Sequence, residues 1–356
     1  MSSRWTLFAP VLAALLLVSG LSLAEGPALL LAGVALAAAV LAAVHHAEVV
    51  AHRVGEPLGT LVLALAVTVI EVALILTMMR AGGPSVAELP RDTIFSAVMI
   101  ICNGVVGVCL LVGGWRHHEQ SFRIEGANAG LAALIALSTL TLVLPNFTTS
   151  SAGPTYTTAQ LGFAAVASLV LWLVWVFVQT VSHRDYFLPP GETRDDPHAH
   201  AEPPGNRAAL LSGVLLLVAL VAVVGLAKQL SPAIEAAVQA AGAPRAVIGV
   251  AIAMLVLLPE TVAALRAALA NRLQTSLNLA FGSALASIGL TIPAVAAASW
   301  WLGLPLTLGV AAKDLVLLGL TFVVSAVTLA SGRTHPMLGA VHLVIFAAFL
   351  FLALVP

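Results

Sequence analysis

The chain has 356 residues, 60% of them hydrophobic and 9% charged, with a mean hydropathy of +1.06 and a formal net charge of −1. That composition excludes an ordinary soluble domain and specifies an all-α polytopic protein whose first partner is the lipid bilayer. A charge so close to zero, with no basic tract, also argues against nucleic acid as a partner.

Eleven apolar runs are long enough to cross about 30 Å of hydrocarbon. They fall at 8–23, 27–44, 57–80, 93–115, 127–145, 158–182, 207–230, 246–268, 275–298, 314–331 and 336–355. The first is short and precedes "SLAEG", so an extra membrane helix within 1–25 stands beside the alternative of a signal peptide cleaved near Ala24. After the second run, "HHAEVVAH" sets His45, Glu48 and His52 at i, i+3 and i+7, one face of a helix if the segment is helical. The spacing is not HExxH, which argues against a zinc protease. The trio reads either as a solvated helix end or as a pH-sensing cluster, since imidazoles titrate between about pH 5 and 8.

The third run, Gly59 to Met79, holds one ionisable residue, Glu71. A carboxylate near mid-bilayer costs roughly 2.5 to 3.5 kcal/mol on insertion scales, so something must offset it. The fourth run carries Ser96 and Asn103, together with Cys102 and Cys109. These cysteines are two turns apart on one helix and read as small packing residues rather than a disulfide. After the sixth run, residues 183–206 mix Pro, Gly, His and both charge signs and are expected to be a flexible cytoplasmic linker. Its "HAH" reads as solvated linker, with weak metal binding as the alternative. No loop has room for a nucleotide-binding domain and GxxxxGK[ST] is missing, so the energy source is a membrane gradient or the flow is passive.

The eighth run, "GVAIAMLVLLPETVAALRAAL", repeats features of the third. Glu260 follows Gly249 by eleven residues as Glu71 follows Gly59 by twelve, and Glu48 precedes Glu71 by 23 as Glu235 precedes Glu260 by 25. Each of these helices is followed by one bearing small and amide residues: Ser96 and Asn103 in the first half, Asn278, Ser283 and Ser287 in the second. Residues 26–182 and 207–356 are therefore expected to be two five-helix repeats. An odd-numbered repeat inserts upside down relative to its twin, giving inverted topology. A cytoplasmic N-terminus leaves ten Lys and Arg residues inside and five outside, the expected bias.

Inverted repeats would bring Glu71 and Glu260 together at the midplane, where one divalent cation or two protons neutralise both. Competition between cation and protons is a coupling mechanism. Thr68, Asn103, Ser283 and Ser287 offer further oxygens, a donor set that suits a hard cation such as Ca2+. Pro259 lacks an N–H and should free the Leu255 carbonyl as another ligand. The small residues of the ninth helix have a second reading as packing positions, and a lone buried Glu as a protonated structural residue. His342, on the last run, has no evident partner.

"HHAEVVAHRVGEPLGTLVLALAVTVIE", "VLLPETVAALRAALANRLQTSLNLAFGSALASIGLTIPA" and "GRTHPMLGAVHLV" together resemble the bacterial ChaA-type calcium:proton antiporters of the calcium:cation antiporter superfamily. The resemblance covers nearly the whole chain. It implies that Glu71 and Glu260 belong to paired repeats and bind cation and proton alternately. Many relatives carry GNxxE in both repeats, whereas this chain has "VTVIE" and "VLLPE", with Thr68 and Leu257 where Asn would stand. Relatives of the ChaA type are associated with Na+ and K+ as well as Ca2+.

The expected function is an inner-membrane antiporter that exports Ca2+, alternatively Na+ or K+, against protons, with no enzymatic activity and no cofactor. One rival is a cation channel lined by the same carboxylates, against which discontinuous helices at matched positions would argue. Another is an intramembrane enzyme, a metalloprotease or a lipid transferase, using the His45, Glu48 and His52 face.

Overall fold

The computed structural model describes residues 4–19, 26–55, 58–190 and 204–355. Ala24, the "HAH" and most of the linker lie outside the described residues. Among the described residues there are eleven helices: α1 (Trp5–Val18), α2 (Gly26–Val54), α3 (Leu58–Gly82), α4 (Leu89–His117), α5 (Ile124–Asn146), α6 (Thr158–Ser182), α7 (Asn206–Ala240), α8 (Ala246–Leu269), α9 (Leu273–Leu302), α10 (Ala312–Leu329) and α11 (Pro336–Leu354). Ten are long and apolar enough to cross a membrane. The exception is α1, whose 14 residues reach about 21 Å at 1.5 Å per residue, short of the hydrocarbon thickness.

Helix α2 continues ten residues beyond the apolar run that ends at 44, so "HHAEVVAH" is helical throughout. Tertiary contacts explain the extension. His46, 1% exposed, sets Nε2 2.9 Å from the carbonyl oxygen of Thr6 and Nδ1 3.2 Å from Ser212 Oγ, joining α2 to both α1 and α7. A polar ring satisfied in this way can lie in a helix interface that composition alone would assign to water.

The two most buried spans are α4 and α9, with 89% and 67% of their central stretches covered against 44% or less for the other spans. They form the inner layer. Packing around them is reciprocal: α6 lies on α9 and α11 on α4, while α3 crosses onto α9 and α8 onto α4. Glycines permit the closest approaches, because small residues let membrane helices meet backbone to backbone. A Cβ built on Gly289 of α9 would stand 2.5 Å from Trp172 Cβ of α6. Gly289→Ala is accordingly expected to cost about 1–3 kcal/mol, read as a lower thermal midpoint of the purified protein; an unchanged midpoint would contradict this contact.

Two short strands, Gln120–Ser121 and Arg333–Thr334, pair antiparallel and tie the α4–α5 turn to the α10–α11 turn. His117 Nε2 and Gln120 Nε2 reach the carbonyls of Leu269 and Ala268 at the close of α8, at 3.0 and 2.9 Å. These turns therefore share one end of the bundle with Arg184–Phe187, at the linker end. At the opposite end the α9–α10 connection has no regular structure but is pinned by backbone bonds, Thr307 N–H to Ala87 O, Gly309 N–H to Pro154 O and Val310 N–H to Leu142 O.

Candidate functional site

Glu71 lies midway along α3 and is 3% exposed. Ser287 Oγ donates to its Oε1 at 2.7 Å and Thr291 Oγ1 to its Oε2 at 3.1 Å. The two donors sit four residues apart, hence on one face of α9. Thr291 escaped the sequence reading, although its place one turn beyond Ser287 was the available signal. Glu260, on α8, differs: its Oε2 is buried without a hydrogen-bond partner among the described residues. One carboxylate is thus held by hydroxyls, and the other has an oxygen buried unpaired.

Both glutamates line a single cavity of about 1070 Å³. Thr68, Ser283 and Ser287 share its wall, as do Glu48 and His52. The cavity runs from Ala97, Glu71 and Ser287 inside the bundle to Arg53, Gly55 and Pro204 at the linker end. Asn278 also lines it, with Nδ2 donating to Phe187 O at 2.5 Å and Oδ1 accepting from Gln274 Nε2 at 2.9 Å.

Other residues singled out from the sequence lie elsewhere. His45 is half-buried, with its ring 5.5 Å from that of His46, and is not part of the cavity wall, so the His45, Glu48 and His52 trio does not converge on one site. Among the described residues no group of three or more His, Cys, Asp or Glu is gathered as a metal cluster. Leu255 is likewise outside the cavity wall. Helices α3 and α8 are continuous, α8 through Pro259, so the discontinuous-helix argument against a channel does not hold for this chain.

Asn103 occupies a π turn of α4, Ile100–Val105, and is fully buried on the side away from the cavity. Its Nδ2 donates to Thr321 Oγ1 at 2.9 Å, and its Oδ1 lies 3.1 Å from His342 Nδ1. His342 Nε2 is in turn 3.0 Å from Thr328 Oγ1. The missing partner of His342 is this network, which binds α4 to α10 and α11. Asn103→Leu should lower the thermal midpoint by the equivalent of about 0.6–1.7 kcal/mol and leave the cation KM unchanged. A raised KM with an unchanged midpoint would return Asn103 to the cation's shell.

Ser96 donates to Asp92 O at 2.5 Å and lines a smaller cavity of about 370 Å³ at the opposite end, beside Glu88, Arg91 and Asp314. Arg91 donates to Asp92 Oδ1 at 2.8 Å, to Glu88 Oε2 at 2.9 Å and to Gly309 O at 3.2 Å, fastening the start of α4 to the α9–α10 connection.

The family model described as sodium/calcium exchanger protein matches residues 27–181 and 211–355. The chain is 49% identical over 350 residues to "Putative ionic transporter y4hA" of Sinorhizobium fredii, covering 98% of this chain and 95% of that protein. It is 35% identical over 322 residues to the sodium-potassium/proton antiporter ChaA of Escherichia coli, covering 90% and 87% respectively. The solved structure of native YfkE superposes with a TM-score of 0.75 at 17% identity, covering 99% of this chain and all of that one, a likeness of fold. With both halves matched and relatives aligned along nearly its full length, the chain belongs to the sodium/calcium exchanger protein family.

Proposed function

We propose that this protein is a secondary active antiporter of the bacterial inner membrane that exchanges a cation for protons at Glu71 and Glu260. The carrying observation is that Glu71 and Glu260 line one cavity, and that Glu260 Oε2 is buried without a hydrogen-bond partner among the described residues. A buried carboxylate oxygen in that state is completed by a proton or a metal ion. Ca2+ is the first candidate, because the wall offers carboxylate and hydroxyl oxygens from Thr68, Ser283 and Ser287. Na+ and K+ are the alternatives, supported by the printed name of the Escherichia coli relative.

The two segments matched by the family model support reading 26–182 and 207–356 as inverted repeats, with α1 as the extra N-terminal helix. With the N-terminus in the cytoplasm, the linker end faces inward and the cavity is open to the cytoplasm. A cation entering there displaces protons from Glu260 and Glu71. Transfer then requires the linker end to close and the Arg91 contacts at the opposite end to part, the rocking of one bundle against another. Glu48 and His52 line the cavity toward its linker end, on the path of an entering cation.

Everted vesicles energised with a proton gradient test this reading. Addition of Ca2+, Na+ or K+ in turn should discharge the gradient for the transported ion, and that ion should accumulate against its own gradient. Downhill movement alone would indicate a channel and overturn the proposal.

A further inference from the structure

The small cavity at the end opposite the linker adjoins the large one. On α4, Ser96 lines the small cavity and the next residue, Ala97, the large one; on α8, Val250 lines the small cavity and Ala253 the large one. A barrier of one helical turn, about 5 Å, therefore divides them. Three acids, Glu88, Asp92 and Asp314, and three bases, Arg91, Arg245 and Lys313, share the small cavity's wall. Two of the bases are engaged elsewhere: Lys313 Nζ donates to Leu352 O at 2.6 Å, and Arg245 lies 3.8 Å from Glu235. Arg91, 9% exposed, holds acids of the wall itself, Asp92 and Glu88, and reaches across to Gly309 O. Its anchor there is fixed. Gly309 N–H bonds Pro154 O, and a Cβ on Gly309 would stand 2.6 Å from Asn146 Oδ1.

We infer that the small cavity is the outward half of the transport path in its closed form, and that Arg91 is the latch that keeps it closed. The inference rests on the proposed exchange reading and names the positioning residue that decides which side the site faces. A guanidinium is permanently charged, and its planar fork matches a carboxylate. Tethered in the cavity, it occupies the acids that a departing metal cation would otherwise meet, and its third bond ties the start of α4 to the α9–α10 connection. The latch also touches the helix that carries Glu260. A Cβ on Gly249 of α8 would stand 2.9 Å from the Asp92 carbonyl carbon and Cβ, so α8 cannot shift at this end without pressing on Asp92. Movement of α8 when the cation settles is thereby passed to the Arg91–Asp92 contact, whose parting opens the outward half.

The test is the rate at which a charged methanethiosulfonate modifies a reporter cysteine in the full-length protein, held in lipid nanodiscs so that both ends are reachable. Ser96→Cys reports on the small cavity and Thr275→Cys on the large one. The native Cys102 and Cys109 are buried, and protein without a reporter serves as the blank. Arg91→Met should speed modification of Ser96→Cys about tenfold, the worth of one charge-assisted hydrogen bond, and leave Thr275→Cys no faster than in the parent. Arg91→Lys, which keeps the charge and loses the fork, should fall between, and it reads the same contact where Arg91→Met fails to fold. Glu88→Gln, whose side chain is 58% exposed, should change the Ser96→Cys rate by no more than about twofold. Unchanged modification of Ser96→Cys would overturn the latch, and so would faster modification of both reporters, the mark of a loosened fold. Wild-type vesicles that move no protons on cation addition would instead mean that the exchange reading itself has failed, whatever the labelling rates.

Discussion

Vesicles carrying Glu71→Gln or Glu260→Gln should show no cation-driven proton movement above vesicles lacking the protein, although both variants fold and insert. Glutamine keeps the length and shape of the side chain and removes its charge and its exchangeable proton. In a setting of effective dielectric near 20, each unit charge pair at 4 Å is worth about 4 kcal/mol, or roughly a thousandfold in affinity, and a divalent ion loses more. The two variants should differ in stability. Glu260 pays for burial without a protein partner on Oε2, so Glu260→Gln should melt no lower than the wild type. Glu71→Gln retains bonding options with Ser287 and Thr291, because an amide can accept from one hydroxyl and donate to the other. Retained exchange in either variant, measured by dye fluorescence on cation addition, would remove that glutamate from the mechanism.

The second large effect concerns the two hydroxyls. Ser287→Ala combined with Thr291→Val deletes both donors to Glu71 while keeping the helix face nearly isosteric. Hydrogen bonds to a charged group contribute about 1.5–3 kcal/mol each, and bonds to one carboxylate do not add fully. A rise in cation KM of roughly ten- to a hundredfold is therefore expected, with each single variant falling between. Because Glu71 keeps its carboxyl, maximal exchange at saturating cation should survive. A double variant with the wild-type KM would show that these bonds serve packing alone.

Several of these residues could be read from the sequence because bilayer energetics makes them anomalies. Glu71 and Glu260 are visible as charges inside apolar runs, and their matched distances from Gly59 and Gly249 pair them before any coordinates exist. Ser287, Thr68 and Ser283 follow from proximity along the chain, and all three line the cavity with the glutamates. What the sequence withholds is rotation about a helix axis and contact at long range. Asn103 lies at a suitable depth on α4, but the π turn from Ile100 to Val105 breaks the ordinary helical register, and the side chain meets Thr321 and His342. Helix α2 looked ten residues too short because the polarity of His46 is offset by Thr6 and Ser212, partners distant in sequence.

Cation binding to the purified protein in unbuffered solution, with the released protons counted, tests most directly whether Glu71 and Glu260 hold cation and proton in alternation. Wild-type protein should release protons as the cation binds, each single Gln variant fewer, and the Glu71→Gln, Glu260→Gln double variant none. Cation binding by the wild type without proton release, or equal release by the double variant, would contradict the shared site.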